Sequence, residues 1–420
     1  MNEKFYGSSS WLKKTINIQE KYKCYAVNNE EDTGKWSKLA DQLQSSGMKI
    51  GIEAQRLFRP GKHGMEVVAL ELIRRIQRLD KKNEYLLFVK KDTEMSGISE
   101  TPNLSIRYIP SLSYADWEQV GLPLALKRTK PDLIHCTANT APLICPVPLI
   151  ITLHDVIYLE KTDFGGSAYQ NLGNLYRRAV VPRAIKQARL IITVSTYEKN
   201  IIIEKCKTPA DKIRVVYNGV DERFHPDHHK DAADAFRRKY ALPETYILFL
   251  GNTAPKKNTP AMIRAYMEYC DNCKSALPLA ITDYDKRYVE QTLRAQNRMD
   301  LMDKFIFPGY VPMEDMPLLY HNARLFVYPS LRESFGLPVL EAMASGIPTI
   351  ASNVSAIPEI AGDAALLVDP YAYKEIAGAI DKLAADEQLR AAYRQKGLER
   401  ARLFNWENAA RQALDIYDEV

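Results

Sequence analysis

Residues 326–350 read FVYPSLRESFGLPVLEAMASGIPTI. The stretch opens and closes with short apolar runs that predict buried strands. Pro338 marks the start of a helix between them, because a proline in the first helical turn gives up no hydrogen bond. A strand, a loop, a helix and a second strand in this order indicate an α/β architecture.

Two carboxylates, Glu333 and Glu341, flank the predicted start of this helix. Phe335, Gly336 and Leu337 would point free backbone N–H groups at whatever lies before the helix, and such a helix end favours phosphate. Glu341, about one turn into the helix, can accept hydrogen bonds from hydroxyl groups. The combination indicates a sugar-nucleotide site, although two acids at this spacing are also typical of an acidic loop before a helix with a dipole-favoured glutamate.

Outside this stretch, short apolar strands alternate with helical periods from Met48 onward, which is typical of parallel, doubly wound sheets. A helix is predicted over 66–79, where apolar residues fall on one face. A polar stretch at 227–230 separates two such series and indicates an inter-domain linker. The strands are predicted at 48–53, 85–89, 133–136, 149–153, 190–194 and 213–216, and then at 246–250, 279–281, 305–307, 325–328, 349–351 and 365–368.

The domain organisation that follows is two Rossmann-like halves with a cleft between them. We predict an N-terminal domain at 48–225, a linker at 226–240 and a C-terminal domain at 241–404. Residues 1–47 are polar, lack the strand–helix alternation and are interpreted as an N-terminal extension. Met48 as the true start and a genuine short extension both remain open.

The composition is that of a globular protein, with 46% hydrophobic and 26% charged residues in a chain of 420. Six cysteines are too few for a disulfide scaffold and favour a reducing, cytoplasmic compartment. Cys270 and Cys273 form one CxxC pair without the second pair of a zinc site. No apolar run is long enough to span a membrane, and residues 1–30 lack a signal-peptide core.

Charge is unevenly distributed along the chain, whose formal net charge is +5. Residues 48–225 contain 27 Lys and Arg against 19 Asp and Glu, whereas residues 226–420 contain 23 against 27. A basic first half could attract an anionic acceptor or the anionic inner face of a membrane, at which the protein would be peripheral. Ordinary surface charge accounts for the same counts. The sequence gives no indication of a nucleic-acid partner.

The run from Phe326 to Ile350 resembles the donor site of retaining GT-B glycosyltransferases of family 4, the group typified by sucrose synthase and bacterial mannosyltransferases. The resemblance extends from Met48 to Tyr417 and is most specific between 246 and 370. It implies the GT-B fold, in which two Rossmann-like doubly wound domains are joined by a last helix, here within 405–420, that crosses back to the first domain.

The resemblance also implies roles for residues of the second half. Glu333 would hold hydroxyl groups of the donor sugar, and Glu341 would hold the ribose. The loop at 251–258 resembles a basic element of the family in which Lys257 binds the diphosphate of the donor. Asn252 stands where the family often has arginine. Tyr310 and Val311 match the segment that meets the nucleobase.

In the first half, the resemblance places His154 beside the donor sugar, with its ring near a sugar hydroxyl. One loop departs from the family pattern: Gly64 is kept, but Glu66 replaces a second glycine, and the following arginine is also absent. A carboxylate there would repel phosphate, so the loop is rearranged, or Glu66 faces a neutral acceptor, or it points away from the cleft. The candidate catalytic residues are His154, Lys257 and Glu333, and the candidate donor-binding residues are Gly64, Asn252, Lys257, Tyr310, Val311, Glu333, Phe335, Gly336, Leu337 and Glu341.

The resemblance implies transfer of a sugar from a UDP- or GDP-linked donor to a saccharide or lipid-linked acceptor, with no metal and no cofactor. Asp283 and Asp285 match the spacing of a metal-binding DxD motif, but a surface loop is the favoured interpretation because they follow a strand of the second half. A nucleotide-sugar epimerase of the same fold and a non-catalytic sugar-nucleotide-binding scaffold are the alternatives.

Overall fold

The computed structural model describes residues 47–59, 64–93, 97–160 and 168–420, so the predicted N-terminal extension lies outside the described residues except for Gly47. Within these ranges the chain forms two parallel sheets, one of seven strands and one of six. Each sheet is covered by helices on both faces, and this arrangement confirms the predicted pair of doubly wound α/β domains.

The first domain is built around the seven-stranded sheet. Its strands are β1 (Lys49–Glu53), β2 (Glu84–Val89), β3 (Leu104–Tyr108), β4 (Leu133–Cys136), β5 (Leu149–Leu153), β6 (Leu190–Thr193) and β7 (Ile213–Val215). Its helices are α1 (Gly64–Leu79), α2 (residues 114–129, with a π-helical turn at Trp117–Gly121), α3 (Ile157–Glu160), α4 (Ala168–Gln187) and α5 (Thr196–Cys206).

The second domain is built around the six-stranded sheet. Its strands are β8 (Ile247–Leu250), β9 (Leu279–Thr282), β10 (Phe305–Gly309), β11 (Leu325–Tyr328), β12 (Thr349–Ser352) and β13 (Leu366–Val368). Its helices are α6 (Lys230–Lys239), α7 (Thr259–Asn272), α8 (Lys286–Ala295), α9 (Met316–His321), α10 (Leu337–Ala344), α11 (Ile357–Ala361), α12 (Tyr373–Ala385) and α13 (Glu387–Ala401). Short 3-10 turns lie at Ala210–Lys212, Pro255–Lys257 and Met299–Lys304.

Strand order locates the ligand-binding edge of each sheet. The first sheet runs β3-β2-β1-β4-β5-β6-β7 and the second β10-β9-β8-β11-β12-β13. The strand order therefore reverses once in each sheet. It reverses between β1 and β4 in the first sheet and between β8 and β11 in the second. In open parallel sheets, ligands bind beyond the carboxyl ends of the strands at such a reversal. The loops after these four strands are consequently the first places to look for a site.

The helix α14 (Trp406–Tyr417) follows the second domain in the chain but packs on the first, as the predicted cross-back helix would. Its apolar face, from Trp406 to Tyr417, lies in the same buried cluster as Ile50 and Ile52 of β1. The hydroxyl of Tyr417 lies 2.8 Å from Nδ1 of the buried His135. A Cβ on Gly219 would stand 2.2 Å from the backbone nitrogen of Trp406, so only glycine allows this close approach.

Two parts of the fold differ from the sequence-based expectation. The strand β3 was not identified from the sequence, and it forms the edge of the first sheet beside β2. Residues 230–239, within the range interpreted as the linker, form α6, whose Phe236 is buried in a core cluster of the second domain. The linker from the first domain to the second is therefore confined to the residues before α6, and the chain crosses back between α13 and α14.

Candidate donor site

Two loops of the second domain are tied together at the point where its strand order reverses. They follow β8 and β11, which are neighbours in the sheet. The backbone N–H of Leu331 donates to the carbonyl of Lys256 at 2.7 Å, and the hydroxyl oxygen of Ser330 lies 2.8 Å from the same carbonyl. The side chain of Asn258 donates to the carbonyls of Pro329 and Pro370. Asn258 thus fastens the loop and does not cap α7 with its side chain.

This fastening brings Lys257 and Glu333 together, as expected for two residues of one site. Nζ of Lys257 donates to Oε1 of Glu333 at 2.9 Å and also to the hydroxyl of Tyr328. Oε1 of Glu333 accepts two further hydrogen bonds, at 2.8 Å each, from the hydroxyls of Tyr328 and Ser330. Both charged side chains are largely buried.

The surroundings of Glu333 keep its carboxylate ionised. Burial by itself opposes ionisation, but the positive charges of Lys257 and Lys256 and the hydrogen bonds to Lys257 and Tyr328 outweigh it and lower the pKa of Glu333 to about 2. The other oxygen, Oε2, takes no part in these bonds. The site therefore presents a fixed negative acceptor next to a fixed cation.

The start of α10 lies immediately after Glu333. Gly336 precedes the helix with φ of 108°, and Pro338 occupies the first turn as predicted. The N–H groups of Val339 and Leu340 already donate to the carbonyl of Gly336. Within the described part of the chain, the N–H groups of Phe335, Gly336 and Leu337 have no acceptor, and they lie at the positive end of the helix.

Glu341, the second predicted acid, faces the interior beside α9. Its carboxylate accepts a hydrogen bond of 2.9 Å from the hydroxyl of Tyr320. Burial raises the pKa of Glu341 to about 7, against the opposing effect of that hydrogen bond. Charges of Asp221, Arg223 and Lys257 also act on it. Near neutral pH this carboxyl can therefore accept or donate a hydrogen bond to a hydroxyl group.

The remaining predicted donor residues of this domain are more scattered. Oδ1 of Asn252 accepts from the backbone N–H of Ala254 at 2.9 Å, and this bond shapes the loop after β8. Tyr310 is 70% exposed and Val311 is buried, just after the edge strand β10. The strand β10 is two strands from β8, a separation of about 10 Å across the sheet.

His154 follows β5 of the first domain and is buried. Its Nε2 lies 2.9 Å from the carbonyl of Thr137, and only a protonated nitrogen can donate to that oxygen. Burial lowers the pKa of His154, so the ring is neutral near pH 7 and its Nδ1 carries a lone pair. This tautomer fits the expected contact of the ring with a sugar hydroxyl.

The loop that departs from the family pattern begins α1. Gly64 is the first residue of α1 and has open space where a side chain would lie. Glu66 is buried in the first turn, and its Oε1 lies 3.7 Å from Nη1 of Arg56. Both residues line a small pocket of the first domain, and the role of Glu66 stays a prediction.

Arg332, next to Glu333, connects the two domains. Its guanidinium donates to Glu160 at 2.7 Å and to the fully buried carboxylate of Glu198 at 2.8 Å. The other oxygen of Glu198 accepts the backbone N–H of Val156, two residues after His154. One carboxylate of the first domain thus holds both the loop that follows His154 and the loop that carries Glu333.

Further hydrogen bonds cross the boundary between the two domains. The hydroxyl of Ser195 donates to the carbonyl of Ser334 at 2.6 Å. The carboxylate of Glu359, in α11, accepts the N–H groups of Thr196 and Tyr197 at 2.7 and 2.9 Å. The loop of Glu333 is therefore held from both domains.

Several residues of this site were missed by the sequence analysis. Tyr328 and Arg332 lie inside the quoted stretch, but nothing in their spacing gives them a role. Glu198 could not be found, because its partner is 134 positions away in the chain.

The described residues contain no group of three or more His, Cys, Asp or Glu side chains that could hold a metal ion. Asp285 caps α8 and pairs with Arg287, and Asp283 has a left-handed backbone.

None of the described helices combines the length and the apolar character needed to cross a membrane.

Two family models match the chain, one in each domain. Residues 62–224 match the model described as Glycosyltransferase Family 4, and residues 232–400 match the model described as Glycosyl transferases group 1. Together they cover most of the chain. Their boundary falls between the two sheets of the structure.

Named relatives and solved structures agree with these models. The O-antigen chain mannosyltransferase B of Escherichia coli is 32% identical over 58% of this chain and 64% of that protein. The serotype-specific mannosyltransferase WbdA of Escherichia coli is 25% identical over 77% of this chain, but the match spans only 41% of WbdA. The matched region is thus less than two thirds of the length of either relative.

The structure of Anabaena Alr3699/HepE in complex with UDP and glucose superposes with a TM-score of 0.65 and 20% identity, over 89% of this chain and all of that one. That likeness shows the shared two-domain fold. From the two family models and the relatives that match them, the chain belongs to the glycosyltransferases of group 1.

Proposed function

We propose that this protein is a retaining glycosyltransferase that moves a sugar from a UDP- or GDP-linked donor to an acceptor hydroxyl in the synthesis of a cell-surface polysaccharide or glycolipid. The observation that carries the proposal is the Lys257–Glu333 pair, buried beside the open N–H groups at the start of α10. A cation and a helix end suit a diphosphate, and a fixed carboxylate suits sugar hydroxyls.

The diphosphate would bind Nζ of Lys257 and the N–H groups of Phe335, Gly336 and Leu337. These donors are in place before the reaction, so each can lower the barrier by about 2–4 kcal/mol as negative charge develops on the leaving group. The same positive field removes the need for a metal ion. Oε2 of Glu333 would accept hydroxyls of the donor sugar, and Glu341 would bind the ribose.

The reaction would proceed on one face of the sugar. The bond between the anomeric carbon and the diphosphate oxygen breaks, and the acceptor oxygen bonds to the same face of that carbon. The acceptor proton passes to the departing phosphate oxygen, so no separate base is required. His154 would position the donor sugar through Nδ1, since its Nε2 is already committed to Thr137.

The names of the relatives narrow the choice of substrates to test. The relatives described as mannosyltransferases of O-antigen chains make GDP-mannose the first donor to test and a polysaccharide the first class of acceptor. UDP is bound in the related Anabaena structure, so UDP-sugars belong in the same panel.

We also propose that the protein contacts a membrane surface peripherally. An apolar patch of the first domain supports this contact. The patch lies on three segments that meet at Gln119, which donates to the hydroxyl of Tyr176 and accepts the N–H of Leu143. Its exposed members are Leu112, Val120, Leu124, Leu143, Ile144, Leu172 and Leu175. Exposed apolar side chains on a domain with an excess of Lys and Arg suit an anionic lipid surface.

Donor binding tests the proposal directly. Binding and slow hydrolysis of GDP-mannose, UDP-glucose, UDP-galactose and UDP-N-acetylglucosamine would be measured by calorimetry and product analysis, with and without EDTA. We expect one donor to bind and to be hydrolysed in EDTA. An epimerised sugar would establish the epimerase alternative, and binding that is lost in EDTA would contradict the metal-free site.

The variant Lys257→Met should weaken donor binding at least 10-fold, whereas the exposed Lys274→Met should leave it unchanged. Equal binding by both variants would refute the assigned diphosphate contact.

Membrane contact is tested by sedimentation with phosphatidylcholine vesicles that contain or lack phosphatidylglycerol. Ile144→Glu should reduce binding to the anionic vesicles, and binding to neither kind of vesicle would contradict the contact.

A further inference from the structure

A carboxylate that the fold does not use lies at the carboxyl edge of the second sheet. Asp283 directly follows β9, whose last residue, Thr282, pairs with Gly309 at the end of β10. The backbone N–H of Asp283 donates to the carbonyl of Gly309 at 3.2 Å, which holds Asp283 close to the exposed Tyr310. Asp283 is exposed, and its carboxylate takes part in no hydrogen bond or ion pair among the residues that the structure describes.

The neighbouring acid of the same loop is already engaged. Asp285 accepts the backbone N–H of Arg287 at 2.9 Å and forms an ion pair of 2.5 Å with the guanidinium of that residue. A metal ion held by this pair of acids would draw on both carboxylates, whereas a hydrogen-bonding ligand needs one. Asp283 is the member of the pair that is open to such a ligand.

The proposed contacts of the donor direct its nucleoside toward this edge. The diphosphate would lie at Lys257 and at the start of α10, in the loops that follow β8 and β11. Glu341, proposed to bind the ribose, accepts a hydrogen bond from Tyr320 on α9, and α9 is the helix that follows β10. The strand β9 lies between β8 and β10, and neighbouring strands are about 5 Å apart. A base beyond the ribose would therefore lie over the ends of β9 and β10, beside Tyr310 and Asp283.

The nucleobases differ in what they offer to a carboxylate. Guanine has two adjacent donors, the ring N1–H and the 2-amino group, and these match the two oxygens of one carboxylate. Uracil has a single ring N–H between two carbonyl oxygens, whose lone pairs the negative charge would repel. Adenine and cytosine each place their amino group next to a ring nitrogen that only accepts. An open carboxylate beside the base consequently selects guanine.

We propose that Asp283 makes the donor site selective for guanine, so that the donor is a GDP-sugar, and that its carboxylate accepts the N1–H and the 2-amino group of the base. The proposal rests on the glycosyltransferase function proposed above and reduces the two nucleotides left open there to one. Tyr310 would stack on the base, a contact that any base can make. The discrimination between bases would therefore come from Asp283.

Binding of nucleoside diphosphates to the full chain tests this assignment. The probes are GDP, UDP and inosine diphosphate, each measured by calorimetry in EDTA. Inosine diphosphate keeps the ring of GDP but lacks the 2-amino group, so it removes one of the two proposed hydrogen bonds. We expect GDP to bind at least about 10-fold more tightly than either of the other two, because the analogues leave a donor or an acceptor of the site unpaired. UDP or inosine diphosphate that binds as tightly as GDP would overturn the proposal.

The variant Asp283→Asn assigns the selectivity to this side chain. Asp283 has φ of 49°, a backbone conformation that asparagine tolerates, so the fold should be kept. An amide can accept the N1–H, but its NH2 group faces the 2-amino group of guanine without an acceptor. The variant should therefore bind GDP at least about 10-fold more weakly and should no longer distinguish GDP from inosine diphosphate.

Xanthosine diphosphate distinguishes base recognition from a structural effect of the same variant. Xanthine carries a carbonyl oxygen in place of the 2-amino group, so Asp283→Asn should bind it more tightly than the wild-type protein does. Asp303→Asn is the matched control, since Asp303 is exposed in the turn before β10, at the opposite end of that strand, and it should change none of these affinities. Equal weakening of all the nucleotides by Asp283→Asn would overturn the proposal.

Nucleotide-sugar binding separates this inference from the function on which it rests. If UDP-sugars bind and are hydrolysed in preference to GDP-mannose, the guanine assignment fails and the glycosyltransferase function stands. If no nucleotide sugar binds to the wild-type protein, the proposed function fails and the guanine assignment fails with it.

Discussion

Three neighbouring side chains, and not contact with water, fix the charge and the orientation of the Glu333 carboxylate. Lys257, Tyr328 and Ser330 all direct donors at one oxygen of its carboxylate. The second oxygen is left to a ligand. A buried, charged carboxylate with hydrogen-bond donors on only one of its two oxygens is suited to hold a hydroxyl group in one orientation.

The variant Glu333→Gln is expected to abolish transfer, with a fall of at least about 100-fold, while the fold is retained. The amide keeps the shape of the side chain but removes the charge opposite Lys257, so unfolding free energy should also fall by up to about 3 kcal/mol. Rates from donor assays and urea unfolding would measure the two effects. The half-buried Glu290, in a surface ion pair with Lys286, is the control, and Glu290→Gln should alter neither. Full activity in Glu333→Gln would refute the assignment.

Glu341 makes stability depend on pH in a defined direction. Its pKa is about 7 in the folded protein and 4.5 when exposed, so between these values the unfolded chain loses a proton that the folded chain keeps. Unfolding free energy should therefore fall as pH rises from 4.5 to 7, by up to about 3 kcal/mol from this residue. Glu341→Gln should be more stable than wild type at pH 8 and similar to it at pH 4.5. A difference that is the same at both pH values would show that the carboxyl is not buried as described.

At the scale of elements, α10 depends on the backbone that starts it. Gly336 has φ of 108°, and a Cβ there would stand 2.6 Å from Cδ1 of Ile357. The backbone conformation disfavours a side chain at this position, and an added methyl group would also have to displace Cδ1 of Ile357. The N–H groups that would meet the diphosphate are displaced if this residue moves.

Gly336→Ala should cost about 1–3 kcal/mol of unfolding free energy and weaken nucleotide binding. Gly378→Ala is the matched control, because Gly378 lies inside α12 with nothing within 4 Å of the added methyl group. That control should be neutral or stabilising by about 0.5–1 kcal/mol, since alanine favours a helix. Thermal unfolding and calorimetry with UDP and GDP would measure both variants. Equal behaviour would contradict the role of this backbone.

The elements that the sequence analysis found are those with strong local signals. Buried strands such as β8 and β11 are continuous apolar runs, and Pro338 marks the start of α10. The strand β3 lacks such a signal, because it lies at the sheet edge with its last two residues exposed. The helix α6 is strongly charged and was interpreted as a linker, since only Ala233 and Phe236 of its residues are buried.

Residues of the candidate site could likewise be predicted only where the local sequence has a recognisable pattern. Lys257 and Glu333 could be predicted because each lies in a contiguous loop with a recognisable pattern. The contacts of Arg332 with Glu160 and Glu198 could not, because they join two domains across 172 and 134 positions of the chain. Only the folded chain shows which charges face each other there.

At the scale of the whole molecule, the two domains are joined by a buried charge cluster beside the site. Arg332 is the cation of this cluster, and the side chain of Glu198 has no exposed surface. The carboxylates of Glu160 and Glu198 raise the pKa of Arg332 against the effect of burial, so the cation stays charged. The contact between the two domains and the position of Glu333 thereby depend on the same side chain.

Arg332→Leu is expected to destabilise the protein by about 3–5 kcal/mol, because it leaves Glu198 buried without a counter-charge. It should also open the cleft, which small-angle scattering would detect as a larger radius of gyration without donor. Adding Glu198→Gln should restore part of the lost stability, since the unpaired charge is then removed. Arg287→Leu, in an exposed ion pair, is the control and should change stability by less than about 0.5 kcal/mol. Strictly additive effects of Arg332→Leu and Glu198→Gln would contradict the coupling.

The position of α14 has a consequence for synthesis on the ribosome. Its apolar face completes the core of the first domain, yet it is translated after the whole second domain. At about 5–20 residues per second, the first domain waits on the order of 10–40 s for the residues that cover it. During that interval the nascent chain carries an open apolar surface on its earliest-made domain, so chaperone binding to the growing chain should end only when Trp406 to Tyr417 have emerged.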